Sequence, residues 1–229
     1  MRTRLFATTT MIAFMCCICA TAQNASSAQE SEVSPLNSIN GHYWVDLGLS
    51  VRWATCNVGA SSPEEYGDHF SWGEVKEKAK FTYENCSTNN LELTDIAGMN
   101  NYDAATTNWG QEWRIPTKEE VVELFENCEC LWTSINGVEG IKLTSKINGN
   151  SIFIPAAGYK YLSLPTKAEI EGQYWISTSS NKKNADFFFF FSSMIPTYIS
   201  EDKAPGKAII GLIDDKRATG RSIRPVTEK

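Results

Sequence analysis

Residues 108–120 read NWGQEWRIPTKEE, and this stretch marks the start of a helix. Pro116 disfavours helical angles at the residue before it, so the helix cannot begin earlier. Thr117 is a good N-cap, and Glu120, three residues later, completes a capping box. Apolar residues then recur at helical spacing: Val121, Leu124, Phe125 and Cys128. The pattern predicts a helix from about residue 118 to residue 127, with one face packed against a core.

The residues around this helix start are interpreted as structural. Arg114 lies between Trp113 and an isoleucine, and a buried arginine needs a carboxylate partner because an unpaired buried charge is very costly. Glu120 or an acid on a neighbouring strand could supply it, and ligand contact by Arg114 is the alternative. We therefore predict a structural motif made of Trp113, Arg114, Pro116, Thr117 and Glu120.

Short strands predominate elsewhere in the chain. Asp103 is a candidate cap for a short helix, and Asn-Gly pairs at 136–137 and 148–149 are strong hairpin-turn signals. The predicted strands are 42–47, 51–55, 68–72, 131–135, 140–144, 151–154, 174–178, 186–192, 208–213 and 221–226. Few helices and many strands predict an α+β fold with mostly antiparallel sheet, forming a single domain over residues 41–229.

Five consecutive phenylalanines, residues 187–191, form the most apolar stretch after the N-terminus. An aromatic ligand platform or a membrane-inserting tip is one interpretation. We favour a central strand buried on both faces, where the alternation of apolar and polar residues disappears. Charged residues beside the run are typical of a strand that must be kept from aggregating.

The N-terminus has the pattern of an export signal. Arg2 and Arg4 precede an apolar run that ends in a small-x-small site, which predicts a signal peptide over residues 1–22 and cleavage between Ala22 and Gln23. Cysteines at 16, 17 and 19 leave a lipoprotein alternative open. Residues 23–40 are polar and predict a flexible leader. We expect an exported protein of the periplasm, cell surface or medium, with no membrane span in the mature chain.

Composition and motifs argue against several classes of function. The net charge of −6 disfavours nucleic acid as a partner, since nucleic-acid binding needs a basic patch. Neither His42 nor His69 belongs to a recognisable catalytic motif, and we assign no catalytic residue, no metal and no cofactor. The seven tryptophans and eight tyrosines instead favour recognition of a glycan or a protein, because such rings combine an apolar face with a polar edge.

Four cysteines lie beyond the predicted signal, at positions 56, 86, 128 and 130. Export permits disulfides, and four cysteines allow three pairings that spacing alone does not decide. A zinc site is the alternative, but Cys-x-Cys without a nearby histidine is poor ligand spacing. Structural cysteines are the better interpretation.

Several segments together resemble the Fibrobacter succinogenes major paralogous domain family of exported bacterial proteins. They are residues 43–60 (YWVDLGLSVRWATCNVGA), 66–74 (YGDHFSWGE), 102–105 (YDAA), 113–117 (WRIPT), 154–159 (IPAAGY), 174–178 (YWIST) and 220–226 (GRSIRPV). The resemblance spans nearly all of residues 41–227. It implies a C-type lectin-like fold, related to the formylglycine-generating enzyme branch, with two helices, long loops and a closing strand beside the N-terminal strands.

The resemblance implies a fold and no activity. Formylglycine-generating enzymes depend on a late cysteine pair, and this chain has no cysteine after Cys130. The Glu-Pro-Asn, Gln-Pro-Asp and Trp-Asn-Asp motifs of calcium-dependent lectins are also missing. In such a fold, the implied disulfide joins Cys56 and Cys128.

We therefore expect a non-catalytic binding or adhesion domain of the bacterial envelope, with a glycan or surface protein as ligand. Its expected recognition surface is the loop region between Trp175 and Gly220. A structural or assembly subunit of an envelope complex or fimbria is the alternative, and an enzyme is a minor one.

Overall fold

The computed structural model describes residues 37–194 and 205–229. The predicted signal peptide, the cleavage site between Ala22 and Gln23 and most of the predicted leader lie outside these residues. The described residues cluster as one compact unit. No helix within residues 37–194 and 205–229 is long and apolar enough to cross a membrane.

The described part of the chain contains two helices and thirteen strands. The helices are α1 (Ala104–Trp109) and α2 (Lys118–Asn127). The strands are β1 (Ser38–Ile39), β2 (His42–Val45), β3 (Arg52–Ala54), β4 (Trp113–Arg114), β5 (Cys128–Ile135), β6 (Val138–Ser145), β7 (Ser151–Pro155), β8 (Tyr159–Tyr161), β9 (Leu164–Thr166), β10 (Glu171–Trp175), β11 (Asn184–Ser192), β12 (Ala208–Lys216) and β13 (Val226–Thr227). All the strand pairs are antiparallel. The two helices and the antiparallel sheets confirm the predicted α+β class.

Helix α2 begins and ends where the sequence predicts. The Thr117 hydroxyl accepts a hydrogen bond from the Glu120 amide, and the Glu120 carboxylate accepts one from the Thr117 amide at 2.8 Å, so the capping box is complete. The same carboxylate accepts from Arg114 Nη1 at 2.8 Å, and Glu228 accepts from Arg114 Nη2 at 2.7 Å. These contacts confirm the predicted structural ion pair, and both acids raise the pKa of Arg114 above its usual value.

The Thr117→Ala variant should lose about 1 kcal/mol of unfolding free energy, because the Glu120 amide loses its acceptor at the helix start. Urea unfolding followed by circular dichroism measures the change. Glu119→Gln, an exposed change in the same turn, is the matched control and should stay within about 0.5 kcal/mol of the wild type. Equal stabilities of the two variants would contradict the capping role.

A five-stranded sheet joins the two ends of the described domain. Its order is β1-β2-β3-β13-β4, so the C-terminal strand lies between β3 and β4. Val226 is paired with Trp53 on one side and with Arg114 on the other. The closing strand therefore lies beside the N-terminal strands, as the resemblance implied, although it is limited to two residues.

The phenylalanine run forms the centre of a second sheet, of order β10-β11-β12. Phe188 and Phe190 face the main core, where both stack on Tyr174 at ring-centroid distances of 5.1 and 6.0 Å. Phe187 and Phe191 are also buried, and Phe189 is half-buried. The predicted central strand is confirmed. A third sheet, of order β5-β6-β7, contains the two hairpins predicted from the Asn-Gly pairs.

Four expectations need correction. Residues 68–72 form only an isolated bridge, Phe70 with Arg221, because the surrounding backbone bonds to other loops rather than to a continuous partner strand. Most of the predicted strand 221–226 is likewise irregular. β1 falls inside the predicted leader, because Ser38 and Ile39 pair with Tyr43 and His42.

The fourth expectation that needs correction is the disulfide implied by the resemblance, between Cys56 and Cys128. Cys56, Cys86, Cys128 and Cys130 are all free thiols. Cys128 belongs to the main core cluster, whereas Cys56 packs against the second core cluster beside α1 and β4, so the pair implied by the resemblance is not formed. Burial raises the pKa of the Cys128 thiol to about 11 and that of the Cys130 thiol to about 12.

Candidate functional site

A groove of about 600 Å³ opens between the β8–β9 hairpin and the sheet β10-β11-β12. We call it the β8–β9 groove. Its lining residues are Tyr159, Tyr161, Thr166, Lys167, Gln173, Phe187, Ile213, Asp214, Asp215, Lys216, Thr219 and Arg221. The volume lies in the range that holds small ligands, and the lining combines rings with converging polar groups.

The outer wall of the groove is aromatic. Tyr159 and Tyr161 are two residues apart on β8, so their side chains project from the same face of the strand. Tyr161 is 61% exposed, whereas Tyr159 is half-buried. This wall presents two phenol rings to whatever enters the groove.

The hairpin that carries this wall, and the connection from β9 to β10 that follows it, have an uncommon backbone. Leu162 and Lys167 have φ values of 56° and 59°, and Glu169 has a φ of 66°. Side chains other than glycine, asparagine and aspartate rarely adopt such left-handed angles. Strain of this kind clusters at ligand-binding sites, where the surrounding structure holds it in place. Here Leu162 is held by reciprocal backbone bonds with Phe81 at 2.7 and 3.1 Å.

A ladder of polar side chains runs beneath the groove. Glu171 and Gln173 project from the same face of β10, while Gly172 and Tyr174 between and after them face the core. Lys167 Nζ donates to Glu171 Oε2 at 2.9 Å, and Gln173 Nε2 donates to Glu171 Oε1.

The ladder continues across three segments of the chain. Arg221 Nε donates to Gln173 Oε1 at 2.8 Å, and Arg221 Nη2 donates to Asp215 Oδ2 at 2.6 Å. Thr219 Oγ1 donates to the same Asp215 oxygen at 3.1 Å. Glu171, Gln173 and Arg221 are 3%, 9% and 2% exposed, so the ladder is a buried network of the kind that fixes side-chain geometry.

Arg221 is the central residue of this ladder. Its guanidinium lies 3.8 Å from the Phe187 ring centroid and 4.3 Å from that of Trp175, between two aromatic faces. Burial lowers its pKa to about 10, and the neighbouring Asp215 opposes this shift, so the group stays charged at neutral pH. In the described part of the chain, Nη1 is buried without a hydrogen-bond acceptor.

The charges around the groove nearly cancel. Lys167 forms an ion pair with Glu171, and Arg221 forms one with Asp215. Asp214 and Lys216 pair in register with Asp186 and Asn184, so their side chains lie on the face of β12 opposite Asp215. The Asp214 carboxylate accepts from Ser180 and Asn184, which lower its pKa and keep it ionised.

Two other cavities have fewer buried polar side chains in their lining. A cavity of about 440 Å³ on the outside of β5-β6-β7 is mainly apolar, with Ile135, Ile152 and Phe153 in its lining. A cavity of about 270 Å³ contains Cys56 and His42, and the His42 ring stacks on Trp109 at a centroid distance of 3.7 Å. Neither contains a buried polar network comparable with the ladder.

The predicted motif residues lie elsewhere. Trp113, Arg114, Pro116, Thr117 and Glu120 hold β4 and the start of α2, and none of them lines the β8–β9 groove. The expected recognition loops between Trp175 and Gly220 consist largely of the strands β11 and β12, and residues 195–204 lie outside the described residues. Phe187, Ile213 and Asp215 from that region do line the groove, as part of a sheet face rather than a loop.

Tyr159, Tyr161, Gln173 and Arg221 were missed as site residues. A usable signal was present: Glu171 and Gln173 are polar residues two apart that directly precede the apolar stretch 174–176. Polar residues on one face of a buried strand need partners, which points to a polar site beside it. No protein-family model, no curated protein and no solved structure matches this chain.

Proposed function

We propose that this protein is an exported, non-catalytic binding domain of the bacterial envelope and that the β8–β9 groove binds a glycan. The proposal rests on the buried ladder centred on Arg221, which lies beneath the half-buried Tyr159 and the exposed Tyr161. The proposed C-type lectin-like fold of the Fibrobacter succinogenes major paralogous domain family is supported by the antiparallel sheets, the two helices and the position of β13 beside β3.

The chemistry of the groove matches a sugar. A pyranose has an apolar face that packs on an aromatic ring and hydroxyl groups at its edge that both donate and accept hydrogen bonds. Tyr159 and Tyr161 supply rings, Asp215 supplies acceptor oxygens, and the ammonium group of Lys167 supplies donors. Because the ladder fixes these polar groups before binding, little side-chain entropy is lost when a ligand enters.

Replacing Tyr161 with alanine should weaken glycan binding at least about tenfold, since an exposed ring that packs on a ligand contributes roughly 1–3 kcal/mol on burial. A glycan array read with the wild-type protein identifies the ligands, and calorimetry then measures their dissociation constants. The assay is run with and without calcium.

Tyr43→Ala is the matched control, because Tyr43 is also a half-exposed tyrosine at 54% but lies on β2, outside the groove. It should bind like the wild type. If no glycan binds the wild-type protein, or if Tyr43→Ala and Tyr161→Ala lose affinity equally, the groove is not a glycan site.

The alternative of a structural or assembly subunit is supported by β12. Within residues 37–194 and 205–229, β12 pairs along its length only with β11, and none of its residues is fully buried. An open edge of this kind can accept a strand from another chain. A stable stoichiometric complex recovered from native envelopes would favour this second function, whereas recovery as a free monomer would exclude it.

A further inference from the structure

We propose that the outer edge of β12 pairs with the same edge of a second copy of this chain, antiparallel and about a twofold axis at Leu212. This inference does not depend on the proposed glycan-binding function. It is derived from three features of β12: backbone groups that face outward along residues 210–214, closure of the edge on either side of them, and side chains that match their own copies across the axis.

Backbone hydrogen bonds alternate along β12 between β11 and the outer edge. Just before β12, the Ser193 amide donates to the Lys207 carbonyl at 2.9 Å. Just after β12, the Arg217 amide donates to the Lys183 carbonyl at 2.9 Å, and both pairs extend the register of β11 and β12. Every second residue of an antiparallel strand bonds to the same neighbour. The odd-numbered residues of β12 therefore bond to β11, and the even-numbered residues direct their amides and carbonyls outward.

The start of the outer edge is covered by β5. Lys207 forms an antiparallel bridge with Leu131, and the Trp132 amide donates to the Gly206 carbonyl at 2.7 Å. Such a bridge uses the outward-facing groups of the residues on either side of Lys207, which are Gly206 and Ala208. A second strand can therefore pair with β12 only beyond Ala208.

The end of the edge is closed by a turn, in which the Thr219 amide donates to the Lys216 carbonyl at 3.0 Å. The outward-facing residues that remain are Ile210, Leu212 and Asp214. Within residues 37–194 and 205–229, no strand or isolated bridge pairs with them on this side. Unpaired edge groups of this kind are a template for another strand.

These three residues are symmetric about Leu212, which favours a second copy of the chain as the partner. A twofold axis at Leu212 pairs this residue with its own copy and pairs Ile210 with Asp214 of the other chain. Each pair exchanges two hydrogen bonds, so the contact contains about six. The two Asp214 carboxylates lie at opposite ends of the contact, so like charges do not meet.

The side chains on the groove face of β12 also match across this axis. The axis places Ile213 of each copy opposite Gly211 of the other, where no side chain obstructs the contact. The half-buried Phe189 ring lies over Gly211, so Ile213 gains an apolar neighbour there. A glycine inside a strand is typical of a place that another backbone approaches closely. Ile213 is 53% exposed in the single chain, and its burial stabilises the contact.

Sedimentation velocity of the purified protein, at about 10 to 500 μM, gives the primary test. A contact limited to residues 210–214 is smaller than the roughly 1,200 Å² of a stable interface, so we expect a weak dimer with a dissociation constant of about 100 μM. Ile213→Lys should weaken association at least about tenfold, because a charge replaces the apolar contact. Ile147→Lys is the matched control, since Ile147 is 58% exposed but lies between β6 and β7, and it should dimerise like the wild type.

Chemical cross-linking tests the register. In Ile213→Cys, the introduced thiols of the two copies are diagonal neighbours with α-carbons about 8 Å apart, so a short bismaleimide should join them. In Lys216→Cys, the introduced thiols lie on opposite sides of the axis, about 26 Å apart, and should not be joined. The wild-type protein, which has the native thiols alone, is the blank.

The outcomes are independent of glycan binding, which is measured through Tyr161. A monomer at every concentration, equal association of Ile213→Lys and the wild type, or cross-linking of Lys216→Cys in preference to Ile213→Cys would overturn the inference. A monomer whose β12 edge pairs with a different envelope protein would also overturn it, and would support the assembly function instead.

Discussion

Replacing Arg217 with methionine should lower the free energy of unfolding by about 4 kcal/mol, the largest loss expected for a single side chain outside the groove. Arg217 is fully buried and stacks on Trp72 at 4.4 Å. Its two terminal nitrogens donate to five acceptors. These are the carbonyls of Thr88, Leu91, Leu93 and Asn181 and the hydroxyl of Ser179.

The large effect is expected because the hydrogen bonds of Arg217 join two loops that contain no helix or strand. Residues 88–93 contain no helix or strand, and residues 179–181 precede β11. Methionine fills much of the volume but leaves these carbonyls without a donor, at roughly 1–3 kcal/mol for each one that water cannot reach. Both loops should therefore become more mobile as well as less stable.

Chemical unfolding and amide hydrogen exchange of Arg217→Met test this expectation together. Lys216→Met, an exposed change at the adjacent residue, is the matched control and should shift stability by less than about 0.5 kcal/mol. If exchange in residues 88–93 is unchanged in Arg217→Met, these loops are held by other contacts and the interpretation is wrong.

Acidification should destabilise the protein between about pH 6.5 and pH 4 through His69. The side chain is 4% exposed, and burial, with a smaller contribution from Lys160, lowers its pKa from 6.5 to about 4. Above pH 6.5 the ring is neutral in both the folded and the unfolded chain, so the full stability is present. Below pH 6.5 only the unfolded chain takes up the proton, and stability falls until the folded chain is protonated near pH 4.

The size of this effect follows from the difference in pKa. A shift from 6.5 to about 4 corresponds to about 3 kcal/mol of unfolding free energy at its full extent. Urea unfolding at half-unit steps of pH measures it. His69→Gln should flatten the curve in this window whatever its effect on absolute stability, because glutamine does not titrate.

His42→Gln is the control for the second histidine. Burial also lowers the pKa of His42, but this ring is less enclosed than that of His69. The control should keep most of the pH dependence. If the two variants have the same slope, the acid sensitivity comes from carboxylates and not from His69.

Local sequence signals predicted the elements whose determinants lie close together in the chain. Thr117 and Glu120 are three residues apart, so the cap could be derived without a fold. For Arg114 the sequence predicted an ion pair and left the partner open, and the structure has both Glu120 and Glu228. The five phenylalanines of β11 predicted a central strand because no strand with an exposed face would have such a run.

The disulfide between Cys56 and Cys128, which the resemblance implied, is not formed. Whether Cys56 and Cys128 can bridge depends on the distance and direction of their side chains, which neither spacing nor resemblance provides. Residues 68–72 failed as a strand for a related reason. Their aromatic side chains favour a strand, but only the isolated bridge between Phe70 and Arg221 is present to pair with them.

By itself, therefore, the sequence determined the start and end of α2, its capping box and the central position of the phenylalanine strand, because each depends on residues that are close together in the chain. Only the tertiary structure decided the β8–β9 groove. The register of β10, β11 and β12 places Glu171, Gln173 and Asp215 on one face. Arg221 comes to them from a separate segment, which the isolated bridges Phe70–Arg221 and Tyr174–Ser222 hold beside the sheet. A shift of one residue in that register would turn the same side chains toward the core.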